Sequence, residues 1–221
     1  GFAAQIEEIA TICEENDLVL IEDAAQGLCS TGMGSRWLGS IGALGCISFH
    51  ETKNIHSGLG GALFVNEESD FDRIEDIWER GTNRAKMFKG LVDKYSWVEP
   101  GSSFYPSELQ AAFLLAQLES IDDNLILRKK LTDAYLEKLV PMQSSGFIKL
   151  QIRDDSEKWN SHAMVIILDS AETSDRLRVF LKERGVSAYI GYVPLHSSRM
   201  GRRLGWQPED LPVTEEYAGR V

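Results

Sequence analysis

At 221 residues, with 43% hydrophobic and 26% charged side chains, the chain has the make-up of a folded globular protein and not of a disordered one. Its 34 acidic and 23 basic residues give a net charge of −11, which argues against nucleic acid or an anionic membrane as the main partner, since both require clustered Lys and Arg. No apolar run approaches a membrane span, and the three cysteines (Cys13, Cys29, Cys46) fit no zinc spacing, so reduced thiols in a cytoplasmic protein are expected.

The chain opens at Gly1-Phe2 inside a helical pattern and without a basic-then-apolar leader, and it stops at Arg220-Val221 partway through another helix; a fragment is expected. Ile6, Ile9, Ala10 and Cys13 fall at helical spacing and predict an amphipathic helix over 3–16. Asn16-Asp17 turns the chain into LVLI, residues 18–21, an unbroken apolar run that suits a parallel strand covered on both faces. Open α/β sheets place ligand groups just beyond the carboxyl ends of such strands, where Glu22, Asp23 and Gln26 stand.

Gly-rich punctuation leads to a second predicted strand at 46–49, and GLGGALFV (58–65) reads as a turn entering a third. A short helix is predicted over 69–80. Residues 81–105 carry little periodicity and read as a long loop, a length usually associated with function or mobility. Helix covers roughly 107–140, as two helices or one bent one, with Ser107 and Gln110 at capping-box spacing. From Pro141 the texture changes to a small α+β domain: a strand at 163–168, a helix at 173–184 and a strand near 186–193.

The informative constellation is Asp23, Gln26, Ser48 and Lys53, spread over two strand ends. A pyridoxal phosphate site needs a lysine to hold the aldehyde as a Schiff base and a carboxylate to keep the pyridine nitrogen protonated. A carboxylate at a shielded strand end supplies that charge-assisted bond. A side-chain amide three residues on suits the ring's phenolic oxygen, and a hydroxyl shortly before the lysine suits the phosphate. Taken singly, Asp23 reads as a turn residue, Lys53 as a solvated charge and Ser48 as any strand residue. Their combination carries the reading.

EDAAQG (22–27), SFHETKN (48–54) and GLGGALFVN (58–66) together resemble the DegT/DnrJ/EryC1/StrS aminotransferases, which act on nucleotide-linked keto-sugars. The likeness runs from about residue 3 to about residue 218. It implies an α/β, aspartate aminotransferase-like (fold type I) pyridoxal-phosphate transferase. This chain would supply a partial large domain, 1–124, and a small C-terminal domain, 125–221. By matching position, Lys53 is the Schiff-base lysine, Asp23 the pyridinium partner, Gln26 the contact to the phenolic oxygen and Ser48 the phosphate contact, with Ala25 also against the cofactor. L-glutamate is the implied amino donor and a homodimer the implied assembly.

A narrower likeness lies in RGTNRAKMFKGLVDKYSW (80–97) and GSSFYPSELQAA (101–112), which resemble the branch that aminates dTDP-4-keto-6-deoxyglucose. Arg84, Lys86 and Lys89 of that loop either meet a diphosphate or form a solvated basic loop on an acidic protein. His50 and His196 are further substrate-side candidates, each with a structural alternative. Relatives that dehydrate keto-sugars carry a histidine where Lys53 stands, so the lysine favours transamination. Tyr105 replaces an asparagine or arginine that many members direct to a neighbouring subunit's cofactor, and Gly191 replaces a frequent histidine. The rival readings are a non-catalytic chain that keeps the sheet and holds no cofactor, and an aminotransferase for a different keto-sugar nucleotide or ring carbon.

Overall fold

Residues 1–151 and 158–221 are described by the computed structural model. They divide into two units, 1–129 with 158–162, and 130–151 with 163–221.

The first unit contains α1 (Ile6–Glu15), β1 (Ile21–Asp23), the short pair β2 (Thr31–Gly32) and β3 (Arg36–Trp37), β4 (Leu44–Ser48), β5 (Gly61–Val65), α2 (Phe71–Trp78), α3 (Arg84–Phe88), α4 (Glu108–Glu119) and the start of α5 (Ile121–Ser144). Its main sheet has the order β1-β4-β5, with β1 parallel to β4 (Asp23 beside Cys46) and β5 antiparallel to β4. Alternation along β4 sends Gly45 and Ile47 inward, and Ile47 joins Ala24, Leu38, Phe49 and Ile55 in a core against which Leu114 and Ile121 pack.

A loop over 39–42 lies against the back of this sheet. The buried Glu22 carboxylate accepts the backbone N–H groups of Gly39 (2.8 Å), Ile41 (2.6 Å) and Gly42 (2.8 Å), and Asn66 Nδ2 donates to the carbonyls of Gly39 (3.0 Å) and Gly42 (2.7 Å). Gly45 permits the approach, because a Cβ there would stand 2.0 Å from the Gly39 carbonyl oxygen. Glu22 is therefore a structural carboxylate, and strand alternation leaves Asp23 on the other, exposed face.

Several expectations are corrected. The LVLI run is not a doubly covered strand: β1 begins only at Ile21, and Leu18, Val19 and Ile21 are exposed, because β1 has one strand neighbour among the described residues. The second strand starts earlier than 46, at Leu44, where pairing with Val65 extends it. The stretch 81–105 is not all loop. It holds α3, bridges Thr82 to Trp97 and Glu79 to Ser103, and ties Asn83 Oδ1 to the Ser96 N–H at 2.8 Å.

The predicted helical region is two helices. Ser107 Oγ accepts the Gln110 N–H (3.2 Å) and Gln110 Oε1 accepts the Ser107 N–H (3.1 Å), closing the capping box at the start of α4. Pro141 does not end the second helix; α5 runs on to Ser144.

The second unit pairs β6 (Lys149–Leu150) antiparallel with β7 (Ile166–Ile167) and adds α6 (Ala171–Lys182), α7 (Arg199–Arg203) and α8 (Pro212–Ala218). Ser170 caps α6 by accepting the Thr173 N–H. The strand predicted over 163–168 contracts to the two residues that β6 can pair. The strand predicted over 186–193 does not form: Tyr189 and Tyr192 are exposed, and no described strand lies beside them to satisfy a ladder. Among the described residues no helix is long and apolar enough to cross a membrane.

Candidate active site

Two turns, one after β1 and one after β4, carry the predicted cofactor residues. After β1, Asp23 Oδ1 accepts the Ala25 N–H (3.2 Å) and the Gly27 N–H bonds the Ala24 carbonyl (2.8 Å), so the chain reverses tightly at Ala25-Gln26. After β4, Ser48 Oγ accepts the His50 N–H (3.2 Å) and the Lys53 N–H bonds the His50 carbonyl (2.9 Å). His50 Nδ1 is itself held against Thr52 Oγ1 (3.0 Å). Asp23 is in register with Cys46, and Ser48 lies two residues further along β4, so all three share one face of the sheet.

Between the turns lies a cleft of about 190 Å³ of empty space, partly open to solvent, lined by Ala25, Gln26, Ser48 and Lys53 among others. The fold thus brings together four of the predicted cofactor residues. Asp23 sits at the neighbouring strand end outside the lining, and His50 belongs to the turn that presents Lys53. Lys53 is half-buried and has no carboxylate partner among the described ion pairs. Ser48 Oγ accepts from within its own turn, which leaves its hydroxyl hydrogen to donate into the cleft.

Three polar lining residues escaped the sequence reading: Asn54, Asn160 and His162. Asn54 Nδ2 donates to the Asn160 carbonyl (2.8 Å), and His162 Nδ1 stands 3.0 Å from Asn54 Oδ1. Asn160 Nδ2 donates to the carbonyls of Gln26 (2.9 Å) and Leu28 (2.8 Å). The only signal in the sequence was a polar WNSH cluster just before the apolar run at 163, and nothing local links it to residues more than a hundred positions earlier. Burial pushes the His162 imidazole down to about 4, and the positive amino end, Lys53 and Arg128 add to the shift.

The remaining candidates lie elsewhere. Lys86 Nζ bonds Asp76 (3.0 Å) with Asp72 near (3.5 Å), and Lys89 Nζ bonds both oxygens of Glu75 (2.8 Å), so these two lysines are spent on the acidic face of α2. The hydrogen bond to Asp76 holds the Lys86 ammonium above its ordinary range despite partial burial. Arg84 lies over the Phe88 ring at 5.0 Å. Tyr105 packs its ring, tilted by 41°, against Trp78 (4.1 Å) and donates to the buried Glu79 carboxylate; burial first, then Glu79, raises its phenol. In the second unit His196 is buried with Nε2 3.0 Å from Glu215 Oε1, an internal contact, while Gly191 has room for a larger side chain.

The DegT/DnrJ/EryC1/StrS aminotransferase family model matches residues 1–221. The chain belongs to that family. Among curated members, the spore coat polysaccharide biosynthesis protein SpsC of Bacillus subtilis (strain 168) is 27% identical over 100% of this chain and 58% of its own length. GDP-perosamine synthase of Escherichia coli O157:H7 is 25% identical over 96% of this chain and 57% of its length. DesV of S. venezuelae, solved in complex with a ketimine intermediate, superposes with a TM-score of 0.82 at 25% identity, covering 98% of this chain and 54% of DesV. The chain therefore spans somewhat more than half the length of the family members it matches. Its mixed sheet and trailing α+β unit are the family's fold.

Proposed function

We propose that this chain forms part of a pyridoxal-phosphate aminotransferase that moves an amino group from L-glutamate to a nucleotide-linked 4-keto-6-deoxy sugar. The observation that carries the reading is the half-buried Lys53 amine, unpaired with any acid among the described residues, in a cleft shared with Ser48, Gln26 and Ala25. The residues present fit the cofactor's chemistry: an amine for an aldehyde, a hydroxyl free to donate to a phosphate, and the Asp23 carboxylate at the adjacent strand end. When bound, pyridoxal phosphate supplies the aldehyde and a ring that accepts the electron pair left by deprotonation beside nitrogen.

Lys53 would hold the cofactor through its aldehyde and, as a free amine, would take up and return the proton of the donor's α-carbon, first as base and then as acid. Asp23 would keep the ring nitrogen protonated, Gln26 would bond the phenolic oxygen, and Ser48 would donate to the phosphate. The cleft is shallow and partly open to solvent, as one wall of a larger site would be.

A nucleotide-sugar substrate agrees with the names of the perosamine and spore-coat relatives. A homodimer agrees with the exposed Leu109 and Phe113, one turn apart on α4, an apolar surface suited to a partner. A cytoplasmic setting agrees with three free cysteines.

Borohydride reduction of the intact protein after addition of pyridoxal phosphate is expected to attach the cofactor to the peptide bearing Lys53, and Lys53→Ala is expected to abolish both labelling and turnover. Asp23→Asn should label normally but turn over far more slowly. Steady-state transamination by Lys53→Ala near the unmutated rate would refute the assignment.

A further inference from the structure

The WNSH segment, 159–162, reaches across from a distant part of the first unit and holds both turns of the cleft at once. Asn160 is 3% exposed. Its side-chain amide donates to the Gln26 and Leu28 carbonyls, fixing the turn after β1, while its backbone carbonyl accepts from Asn54, fixing the turn after β4. Asn160 Oδ1 in turn accepts the His162 N–H at 3.1 Å. The intervening Ser161 takes a left-handed backbone conformation (φ 54°), uncommon for a residue with a side chain, which lets Asn160 and His162 both face the same neighbours. Lys158 N–H bonds Thr31 Oγ1 at 2.8 Å and Asn160 N–H bonds Ser30 Oγ at 3.1 Å, so the segment is anchored before it reaches the cleft.

Within this staple one contact bears directly on the reacting amine. Asn54 follows Lys53 in the chain, is buried, and commits Nδ2 to the Asn160 carbonyl. Its Oδ1 is therefore an acceptor, and the hydrogen between it and His162 must sit on the imidazole Nδ1. We propose that His162 is a positioning residue for Lys53, acting through the Asn54 side chain to which it donates. Losing that donor leaves Asn54 Oδ1 buried and unpaired, and frees the Lys53-Asn54 peptide to swing the amine away from Ser48 and Gln26. Arg128, whose guanidinium reaches the Ser161 (3.5 Å) and His162 (3.4 Å) carbonyls, holds the same segment from the helix side. The inference rests on Lys53 being the reacting amine.

Asparagine tests it, because its amide nitrogen occupies roughly the place of imidazole Nδ1. His162→Ala in the intact protein is expected to speed amide hydrogen exchange over residues 50–57 about tenfold and to slow borohydride trapping of pyridoxal phosphate on Lys53 by a similar factor. In steady-state assays kcat is expected to fall about tenfold with the sugar KM within twofold. His162→Asn is expected to restore exchange, trapping and kcat to within about threefold of the unmutated protein. Unchanged exchange and trapping in His162→Ala, or failure of His162→Asn to recover either, would overturn the proposal. If the unmutated protein does not trap cofactor at Lys53, the functional reading fails on its own, and this proposal, which requires that amine to react, falls with it; normal trapping with an indifferent His162 sinks only the positioning role.

Discussion

Exchanging Glu22 for glutamine removes one acceptor oxygen from a site that serves three donors. In the native arrangement Oε2 takes the Gly39 N–H and Oε1 takes those of Ile41 and Gly42. The amide of Gln can keep its oxygen on Ile41 and Gly42, but its NH₂ group then faces the Gly39 N–H, donor against donor. An orphaned, buried N–H costs about 1–3 kcal/mol, and two bonds falling from charged to neutral strength cost about 0.5–1 kcal/mol each. Burying a neutral amide in place of a carboxylate offsets part of this, leaving a net loss of about 2–3 kcal/mol. For a chain of this size that corresponds to a fall in Tm of about 4–12 °C. Circular-dichroism melts of Glu22→Gln beside Glu8→Gln, a substitution on the exposed face of α1, measure it. If the two variants melt within about 1 °C of each other, Glu22 does not hold the 39–42 loop and its assignment as a structural carboxylate fails.

Two further outcomes are expected. Lys86→Ala should cost about 1–2 kcal/mol in urea unfolding, because Asp76 loses its only described cation at hydrogen-bond distance, and Asp76→Asn in the same chain should recover most of it; a tenfold rise in sugar-nucleotide KM with stability unchanged would instead put Lys86 on a phosphate. The pH dependence of stability should carry the mark of His162. Its imidazole titrates near 6.5 when unfolded and at about 4 when folded. The unfolded chain therefore binds the extra proton first. The contribution is complete above about pH 6.5, declines as the pH falls toward 4 and is gone below that. Partial exposure reduces it to about 1–2 kcal/mol. His162→Asn should flatten that segment of the profile, as read from urea midpoints between pH 4 and 7; a slope identical to that of the unmutated protein would exclude His162 as its source.

The local grammar of this chain was legible where short-range chemistry decides it. Ser107 and Gln110 announce a helix start because a capping box needs only residues three apart, and the box forms. Asp23, Gln26, Ser48 and Lys53 could be picked out because strand ends and turns are marked by short apolar runs and Gly-rich breaks, and the motifs around them match a family. Where the reading failed, the missing information was a partner. LVLI has the composition of a doubly covered strand, but coverage depends on what lies beside it, and among the described residues β1 pairs on one side only. Residues 186–193 have strand composition and no described strand to bond. Lys86 and Lys89 read equally as diphosphate contacts or solvated charges, and only the packing of this segment against α2 gave them carboxylates.

The sequence by itself therefore determined the chemistry on offer: an amine, a carboxylate, an amide and a hydroxyl at two strand ends, and the family to which that set belongs. Tertiary structure decided how the set is held. It sent Glu22 inward and Asp23 outward through strand alternation, and it brought Asn160 and His162 across more than a hundred residues to bond Gln26, Leu28 and Asn54. Those contacts are hydrogen bonds between groups remote in sequence, whose geometry exists only after the chain has closed on itself, so no local pattern could announce them.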